Sequence, residues 1–170
     1  MIIDFHTHMF PDKIAARTID FLSKTGDDMN PFTDGTWKGL KESTKQAGID
    51  HSIVLPIATR PGQFHTINEF ATHFQEGTLI SFGSLHPESE NYKEELRQIQ
   101  DMGMKGIKLH PDYQDTYFND IRYKRIISYA TELGLIISVH AGQDPKCPDN
   151  IHCTPAMAEE VLNEVEPEKL

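Results

Sequence analysis

The chain has 170 residues, 38% of them hydrophobic and 25% charged, which suits one domain with a substantial core and is short for two. Its 26 acidic and 16 basic residues give a formal net charge of −10 with no basic stripe, which argues against a nucleic-acid partner and an anionic membrane surface. The amino terminus has neither a cationic start nor a long apolar run, so we expect a cytoplasmic protein without signal peptide or membrane anchor.

Short apolar runs alternate with amphipathic stretches along the chain, and this alternation predicts strands followed by helices. The apolar runs are nearly continuous, as in parallel strands that are covered on both faces. The predicted strands span about 2–6, 51–57, 79–85, 105–109 and 135–140. The predicted helices lie near 12–23, 36–47, 63–76, 89–102, 119–133 and 155–165.

Residues that favour helix ends stand at the predicted boundaries. A glycine separates a helix from the following strand at four places, where a left-handed C-cap is expected: Gly48, Gly77, Gly103 and Gly134. Ser89, Asn119 and Thr154 stand where N-caps are expected, and Pro155 follows at a first helical position. From the second strand onward the spacing is about thirty residues, which is typical of βα units.

Consecutive βα units form either an open sheet or a barrel. In an open sheet, ligands gather at one switch point, whereas here polar residues end the first, third, fourth and fifth predicted strands. This distribution favours the mouth of a TIM-type (β/α)8 barrel. A full barrel needs at least about 200 residues, so we expect residues 1–170 to be the amino-terminal part of one, a single domain with only about the first five βα units.

Histidines end the predicted strands at what would be the barrel mouth, where such barrels carry their chemistry. His6 and His8 are two residues apart on a strand, so both should lie on the same face. His140 ends the fifth strand and is the best candidate for a third metal ligand. The alternatives are polar residues that merely end a strand and, for His140, a hydrogen-bonded core histidine.

Three neutral imidazoles from His6, His8 and His140 would hold one divalent metal, with zinc as the first choice, and leave a coordination position open. An open position would let the metal activate a water molecule and polarise a substrate oxygen. Asp4, on the same face as His6, could hydrogen-bond a ligand or be a buried polar residue. The spacing of Cys147, His152 and Cys153 matches no zinc motif, and a thiol pair is the simpler interpretation.

Four further residues are candidates at the mouth. Lys108 and His110 share one face of the fourth strand. His110 is a candidate catalytic residue that could contact substrate or support the metal. Lys108 could bind an anionic substrate or form a structural ion pair with Asp4 or Asp112. His86 and Arg60 are candidate substrate-binding residues, against which stand a strand-capping histidine and a solvated loop arginine.

The segments 4–8, 106–111 and 138–142 together resemble the amidohydrolase superfamily, specifically the amidohydrolase-related branch that includes aminocarboxymuconate semialdehyde decarboxylase. The resemblance runs from residue 2 to the end of the chain and implies a (β/α)8 barrel with one catalytic divalent metal, usually zinc. It assigns His6, His8 and His140 as ligands. The family's sixth-strand histidine and eighth-strand aspartate have no counterpart in these 170 residues. In other branches a carboxylated fourth-strand lysine bridges two metals, and Lys108 lies close to that position.

The resemblance therefore implies a metal-dependent hydrolase of C–N or C–O bonds, or a non-oxidative decarboxylase, acting on a small carboxylated molecule. The alternative is a non-catalytic half-barrel that binds metal or a partner chain. Because five strands leave two barrel edges without partners, a homo-oligomer is also an expectation.

Overall fold

A computed structural model describes residues 1–25, 30–74, 77–145 and 148–170 of the chain. The strands are β1 (Ile3–Thr7), β2 (His51–Val54), β3 (Leu79–Ser81), β4 (Gly83–Ser84), β5 (Gly106–Leu109) and β6 (Ile136–Val139). The helices are α1 (Asp12–Thr25), α2 (Trp37–Gln46), α3 (Phe64–His73), α4 (Tyr92–Asp101), α5 (Ile121–Glu132) and α6 (Pro155–Val165). Every predicted helix forms. None of the helices in these ranges is long and apolar enough to cross a membrane.

The strands pair in parallel and in chain order, in a β1-β2-β3 sheet and a β4-β5-β6 sheet. The prediction of one strand over 79–85 is wrong, because β3 pairs with β2 whereas β4 pairs with β5. Only Phe82 separates the two short strands, and its N–H still donates to the Val54 carbonyl at 2.9 Å. The chain therefore passes from one sheet to the other within a single residue.

A buried amide side chain explains why β4 leaves β2. The Asn68 Oδ1 atom accepts the Ser84 N–H at 2.9 Å, and Asn68 Nδ2 donates to the Ser84 carbonyl at 2.8 Å. Asn68 thus satisfies the N–H and the carbonyl of Ser84. If β3 continued as one strand, these two groups would bond to a further residue of β2 instead. The Ser84 hydroxyl donates to the Lys108 carbonyl at 3.0 Å and accepts the Ala58 N–H at 2.9 Å, which joins the loop after β2 to β5.

Close packing around the start of β5, beside the boundary between β3 and β4, requires glycine at position 106. A Cβ atom on Gly106 would lie 2.5 Å from the Ile136 carbonyl oxygen and 2.6 Å from the Phe82 ring. The fully buried Phe82 ring therefore packs against bare backbone at the start of β5. Any side chain at Gly106 would push β5 away from β6 or displace this ring.

The largest hydrophobic core lies where α4, α5 and α6 cover β5 and β6, and it includes Leu96, Ile107, Ile126 and Val161. The prediction of a buried first strand is wrong, since Ile3 is 46% exposed. Among the strands that the structure describes, β1 has a partner only in β2. The other edge of β1 has no strand beside it among the described residues, so the apolar side chains of β1 are exposed to solvent.

The helix ends follow the predicted chemistry in part. The four predicted glycines all have positive φ, between 61° and 80°, and the Thr154 side chain caps α6 by accepting the Met157 N–H at 3.3 Å. Asn119 does not cap α5, because Asp120 accepts the Arg122 N–H instead. Residue Asn91, not Ser89, precedes α4.

Candidate active site

The imidazoles of His6 and His8 meet where β1 ends. Thr7 between them points the other way and donates to the Ile53 carbonyl at 2.8 Å, so both histidines share the opposite face. His8 Nδ1 lies 2.9 Å from the Leu55 carbonyl, which can only accept, so Nδ1 carries the proton and Nε2 keeps its lone pair. The two Nε2 atoms are 3.1 Å apart.

The second pair of imidazoles ends β5 and β6. The rings of His110 and His140 stack with centroids 4.1 Å apart and planes 7° apart, and Tyr113 stacks on His110 at 4.0 Å. The N–H of His140 donates to the Leu109 carbonyl at 3.0 Å, which fixes the end of β6 against β5. The Tyr113 N–H donates to His110 Nδ1 at 3.3 Å, so a neutral His110 carries its proton on Nε2.

Buried carboxylates face His140, and the sequence prediction did not place them there. Its Nε2 atom lies 3.8 Å from Asp112 Oδ2 and 3.7 Å from Asp144 Oδ2. The Asp112 Oδ1 atom accepts from His152, from Nδ1 at 3.0 Å and from the backbone N–H at 3.3 Å. Each of these residues follows a strand in an irregular loop, where no periodic pattern could indicate which side chains turn inward.

Gln114 is a further residue that sequence reasoning missed. Its Nε2 donates to the Ala58 carbonyl at 2.9 Å and the Leu85 carbonyl at 2.8 Å, and its Oε1 accepts the His110 N–H at 2.9 Å. The Tyr123 hydroxyl also donates to Oε1, at 2.7 Å. One buried amide therefore joins the segments that follow β2, β4 and β5 and fixes the position of His110 relative to them.

Lys108 is almost completely buried, at 1% exposure. Burial lowers the pKa of its ammonium group to about 8. The predicted alternative of an ion pair with Asp4 or Asp112 is wrong, since no carboxylate of the described residues forms a salt bridge with Lys108. A buried cation that forms no salt bridge within the described part of the chain suits an anionic ligand.

All the imidazoles at this end of the strands favour the neutral form. Burial, then the charges of His6 and Lys108, lower the pKa of His8 to about 4. Burial followed by the charges of His140 and Lys108 lowers the pKa of His110 far below its usual range, and burial also lowers the pKa values of His6 and His140. Because the charge of one group lowers the pKa of another, the ends of β1, β5 and β6 share one electrostatic environment.

Arg60 and His86 line the same cavity. It has a volume of about 50 Å³ and is also lined by Phe64 and Glu95, and none of His6, His8, His110 and His140 lines it. His86 is buried, and burial lowers the pKa of its ring. The substrate-binding role of Arg60 and His86 stays a prediction.

The cysteines form no metal site within the described residues. Cys153 is buried, and burial raises the pKa of its thiol to about 11, which disfavours the thiolate that binds metals. Cys147 lies outside the described residues. The neighbouring His152 has its Nδ1 atom 3.0 Å from Asp112 Oδ1.

Two groups of donor atoms at the strand ends each suit a divalent metal. One is the pair of His6 and His8, and the other is His110, His140 and Asp144, a group that among the described residues does not include His6 or His8. Two ligands bound to one ion at about 2.0–2.1 Å lie roughly 2.9–3.4 Å apart, a range that includes the measured separation of the His6 and His8 Nε2 atoms. The buried Nε2 atom of His140 has no hydrogen-bond partner among the described residues. His110, His140 and Asp144 present donor atoms within 4.8 Å of one another. Imidazole and carboxylate ligands suit zinc, manganese and iron alike.

The comparison with protein families decides the classification. The family described as Amidohydrolase matches residues 3–165. The chain belongs to the amidohydrolase family. This confirms the resemblance drawn from the histidine-bearing segments. Among curated proteins, none matches this amidohydrolase in sequence.

Solved structures share the fold of this amidohydrolase at low sequence identity. IDCase from Metarhizium anisopliae has a TM-score of 0.61 and 14% identity, covering 98% of this chain and 57% of its own. A 5-carboxyvanillate decarboxylase from Novosphingobium aromaticivorans, complexed with manganese and 4-hydroxy-3-methoxy-5-nitrobenzoic acid, has a TM-score of 0.61 and 15% identity over 88% of this chain and 53% of its own. An amidohydrolase from Burkholderia multivorans has a TM-score of 0.53 and 14% identity over 81% and 47%.

The chain thus spans about half the length of the structures that it matches. Identities this low show the fold alone. The structural likeness confirms the predicted fold class, since the parallel strands and their covering helices form part of a TIM-type barrel.

Proposed function

We propose that this chain provides the metal-binding end of a metal-dependent enzyme that acts on a small carboxylated molecule. The reaction is hydrolysis of a C–N or C–O bond or non-oxidative decarboxylation. The observation that carries the proposal is the 3.1 Å approach of the His6 and His8 Nε2 atoms, with the His8 tautomer held by the Leu55 carbonyl. A carbonyl behind the ring is the usual support of a metal-binding histidine.

His6, His8 and His140 are the proposed ligands, and zinc is the proposed metal. When bound, a divalent metal polarises a substrate oxygen and activates water. The three imidazoles hold the neutral form that binding requires, because burial lowers the pKa of each ring. The manganese in the carboxyvanillate decarboxylase makes manganese the second metal to test.

Lys108 and His110 are proposed to act on the substrate. The buried ammonium group of Lys108 attracts the substrate carboxylate, since no protein carboxylate of the described residues neutralises it. The neutral His110 ring carries a proton on Nε2, which lies 3.8 Å from Asp144 Oδ2. His110 is therefore placed to donate a hydrogen bond or a proton to a substrate atom bound between these side chains.

Metal binding by single-residue variants tests the proposal. Native mass spectrometry of the purified chain should show about one zinc ion per chain, and His6→Ala, His8→Ala and His140→Ala should each lose it. The matched control is His65→Ala, because His65 is exposed on α3 and should leave binding intact. Unchanged metal content in the three ligand variants, with their folds intact, would refute the proposal.

Turnover tests the catalytic part separately. The metal-loaded chain is offered carboxylated esters, lactones, amides and aromatic carboxylates, with chelator-treated protein as the blank. Turnover that disappears with the chelator and in Lys108→Met supports the proposed reaction class. Binding of metal without any turnover would favour a second candidate function, that of a non-catalytic half-barrel.

One observation favours that second candidate. Ile3 and Phe5 are 46% and 47% exposed along β1, whose outer edge has no strand partner among the described residues. Exposed apolar edges associate readily, and a second copy of the chain is the proposed occupant. Sedimentation velocity should show a dimer that Phe5→Ser dissociates, whereas a monomer at all concentrations would exclude this candidate.

A further inference from the structure

We propose that Asp144 is a direct carboxylate ligand of the cation that His140 binds. This inference rests on the metal dependence proposed above and goes beyond it, because it adds a carboxylate to the three imidazoles proposed as ligands. Asp144 follows His140 by four residues in the loop after β6, and it is only 5% exposed.

The distances place Asp144 within reach of a shared ion. Its Oδ2 atom lies 3.7 Å from His140 Nε2. Two ligands of one ion lie roughly 2.9–3.4 Å apart, so a small side-chain movement brings both atoms into the coordination range. The Nε2 atom of His140 is buried and forms no hydrogen bond within the described ranges, so coordination would satisfy it.

His110 belongs to the same cluster but is less suited to be a ligand. Its Nδ1 atom accepts the Tyr113 N–H, which leaves the proton on Nε2. Its ring also stacks on that of His140, with centroids 4.1 Å and planes 7° apart, so an ion bound in the plane of one ring lies outside the plane of the other. Its Nε2–H faces Asp144 Oδ2 at 3.8 Å. His110 therefore helps to orient the Asp144 carboxylate.

Charge balance gives Asp144 a further role. The proposed cation would lie near the buried Lys108 ammonium group. Burial is the main cause of the lowered pKa values of His6, His8 and His140, and the charge of Lys108 lowers them further. Neutral imidazoles do not offset this repulsion, whereas a carboxylate ligand does. Asp112 is the other carboxylate at His140, but its Oδ1 atom is held by two hydrogen bonds from His152, which favours an orienting role.

Titration of the metal-free chain with Zn²⁺ and Mn²⁺, in competition with a chromophoric chelator, tests the assignment. Asp144→Asn should weaken binding of both ions at least about tenfold, with the larger effect on Mn²⁺ because that ion prefers oxygen ligands. The matched control is Asp149→Asn, an exposed carboxylate in the same loop, which should bind as the wild type does. Circular dichroism verifies that each variant is folded.

The outcomes separate this inference from the proposed function. Equal affinities for Asp144→Asn and Asp149→Asn, together with loss of binding in His140→Ala, would overturn the role of Asp144 and leave the proposed function intact. Wild-type affinity in folded His140→Ala would refute the metal site on which both rest. Should Asp144→Asn fail to fold, the visible spectrum of the Co²⁺-loaded Asp144→Glu variant decides: altered bands support direct coordination, and an unchanged spectrum contradicts it.

Discussion

One oxygen of the Asp112 carboxylate accepts both the Nδ1–H and the backbone N–H of His152, while its other oxygen faces His140 Nε2 at 3.8 Å. The side chain of Asp112 is fully buried, at 0% exposure. His152 therefore fixes the direction in which Asp112 presents its negative charge to His140. The loop before α6 is in this way coupled to the end of β6.

Replacing His152 should loosen this arrangement. We expect His152→Ala to lower the free energy of unfolding by about 1–3 kcal/mol, because a buried carboxylate loses a hydrogen-bond donor. Metal affinity should fall by about tenfold, the size of effect typical of residues that support a ligand. Urea unfolding and chelator competition measure the two quantities. The control Tyr117→Phe removes only an exposed bond from the Tyr117 hydroxyl to Asn150; if it has the same effects as His152→Ala, the explanation fails.

Removing the buried charge of Lys108 should stabilise the chain. Burial lowers the pKa of the folded-state ammonium group to about 8 from an ordinary value of 10.5. Below pH 8 the folded state carries the full cost of the buried charge, so Lys108→Met should raise the free energy of unfolding by about 1–3 kcal/mol at pH 7.

The pH dependence of that effect has a definite sign. Between pH 8 and 10.5 the unfolded state binds more protons than the folded state, so wild-type stability rises with pH there and the advantage of Lys108→Met shrinks. Denaturant unfolding of both chains at pH 7 and pH 9.5 measures the difference. A constant gap across this range would show that Lys108 is not the group that titrates.

His8 should make the metal-free chain sensitive to acid. Its pKa in the folded state is lowered to about 4 from 6.5, chiefly by burial. The stabilisation is fully present above pH 6.5 and is lost as the pH falls towards 4, because the unfolded state then binds the extra proton. We expect His8→Gln to flatten the dependence of unfolding free energy on pH in this window. Identical slopes for the two chains would contradict the lowered pKa.

The division between β3 and β4 should depend on Asn68. Its side chain forms three buried hydrogen bonds, to the Phe64 carbonyl and to both backbone groups of Ser84. Asn68→Leu should lower the free energy of unfolding by about 2–4 kcal/mol, since it leaves these backbone groups unsatisfied. Thermal unfolding compares it with Gln46→Ala, a surface change that should stay within about 0.5 kcal/mol. A loss no larger than that of the control would remove the explanation for the strand division.

The histidines of the candidate site were within reach of sequence reasoning. His6, His8, His110 and His140 each follow an apolar run, and the carboxyl ends of parallel strands lie at one edge. The positions of the carboxylates could not be predicted from the sequence, because Asp112 and Asp144 belong to irregular loops whose course depends on what packs against them. The sequence left open whether Lys108 binds an anionic substrate or pairs with Asp4 or Asp112, because the two-residue repeat of a strand places a side chain on one face but does not select its neighbours.

Sequence reasoning was sufficient for the succession of helices and strands, the fold class and the strand ends at which the imidazoles stand. Those features follow from local periodicity, from glycine at left-handed helix ends and from the two-residue repeat of a strand. The tertiary structure decided that residues 79–85 serve two sheets, that β1 is exposed, and that Gln114, His152 and the carboxylates approach the histidines. Those contacts join residues that are far apart in the chain, so only the packing of one loop on another could fix them.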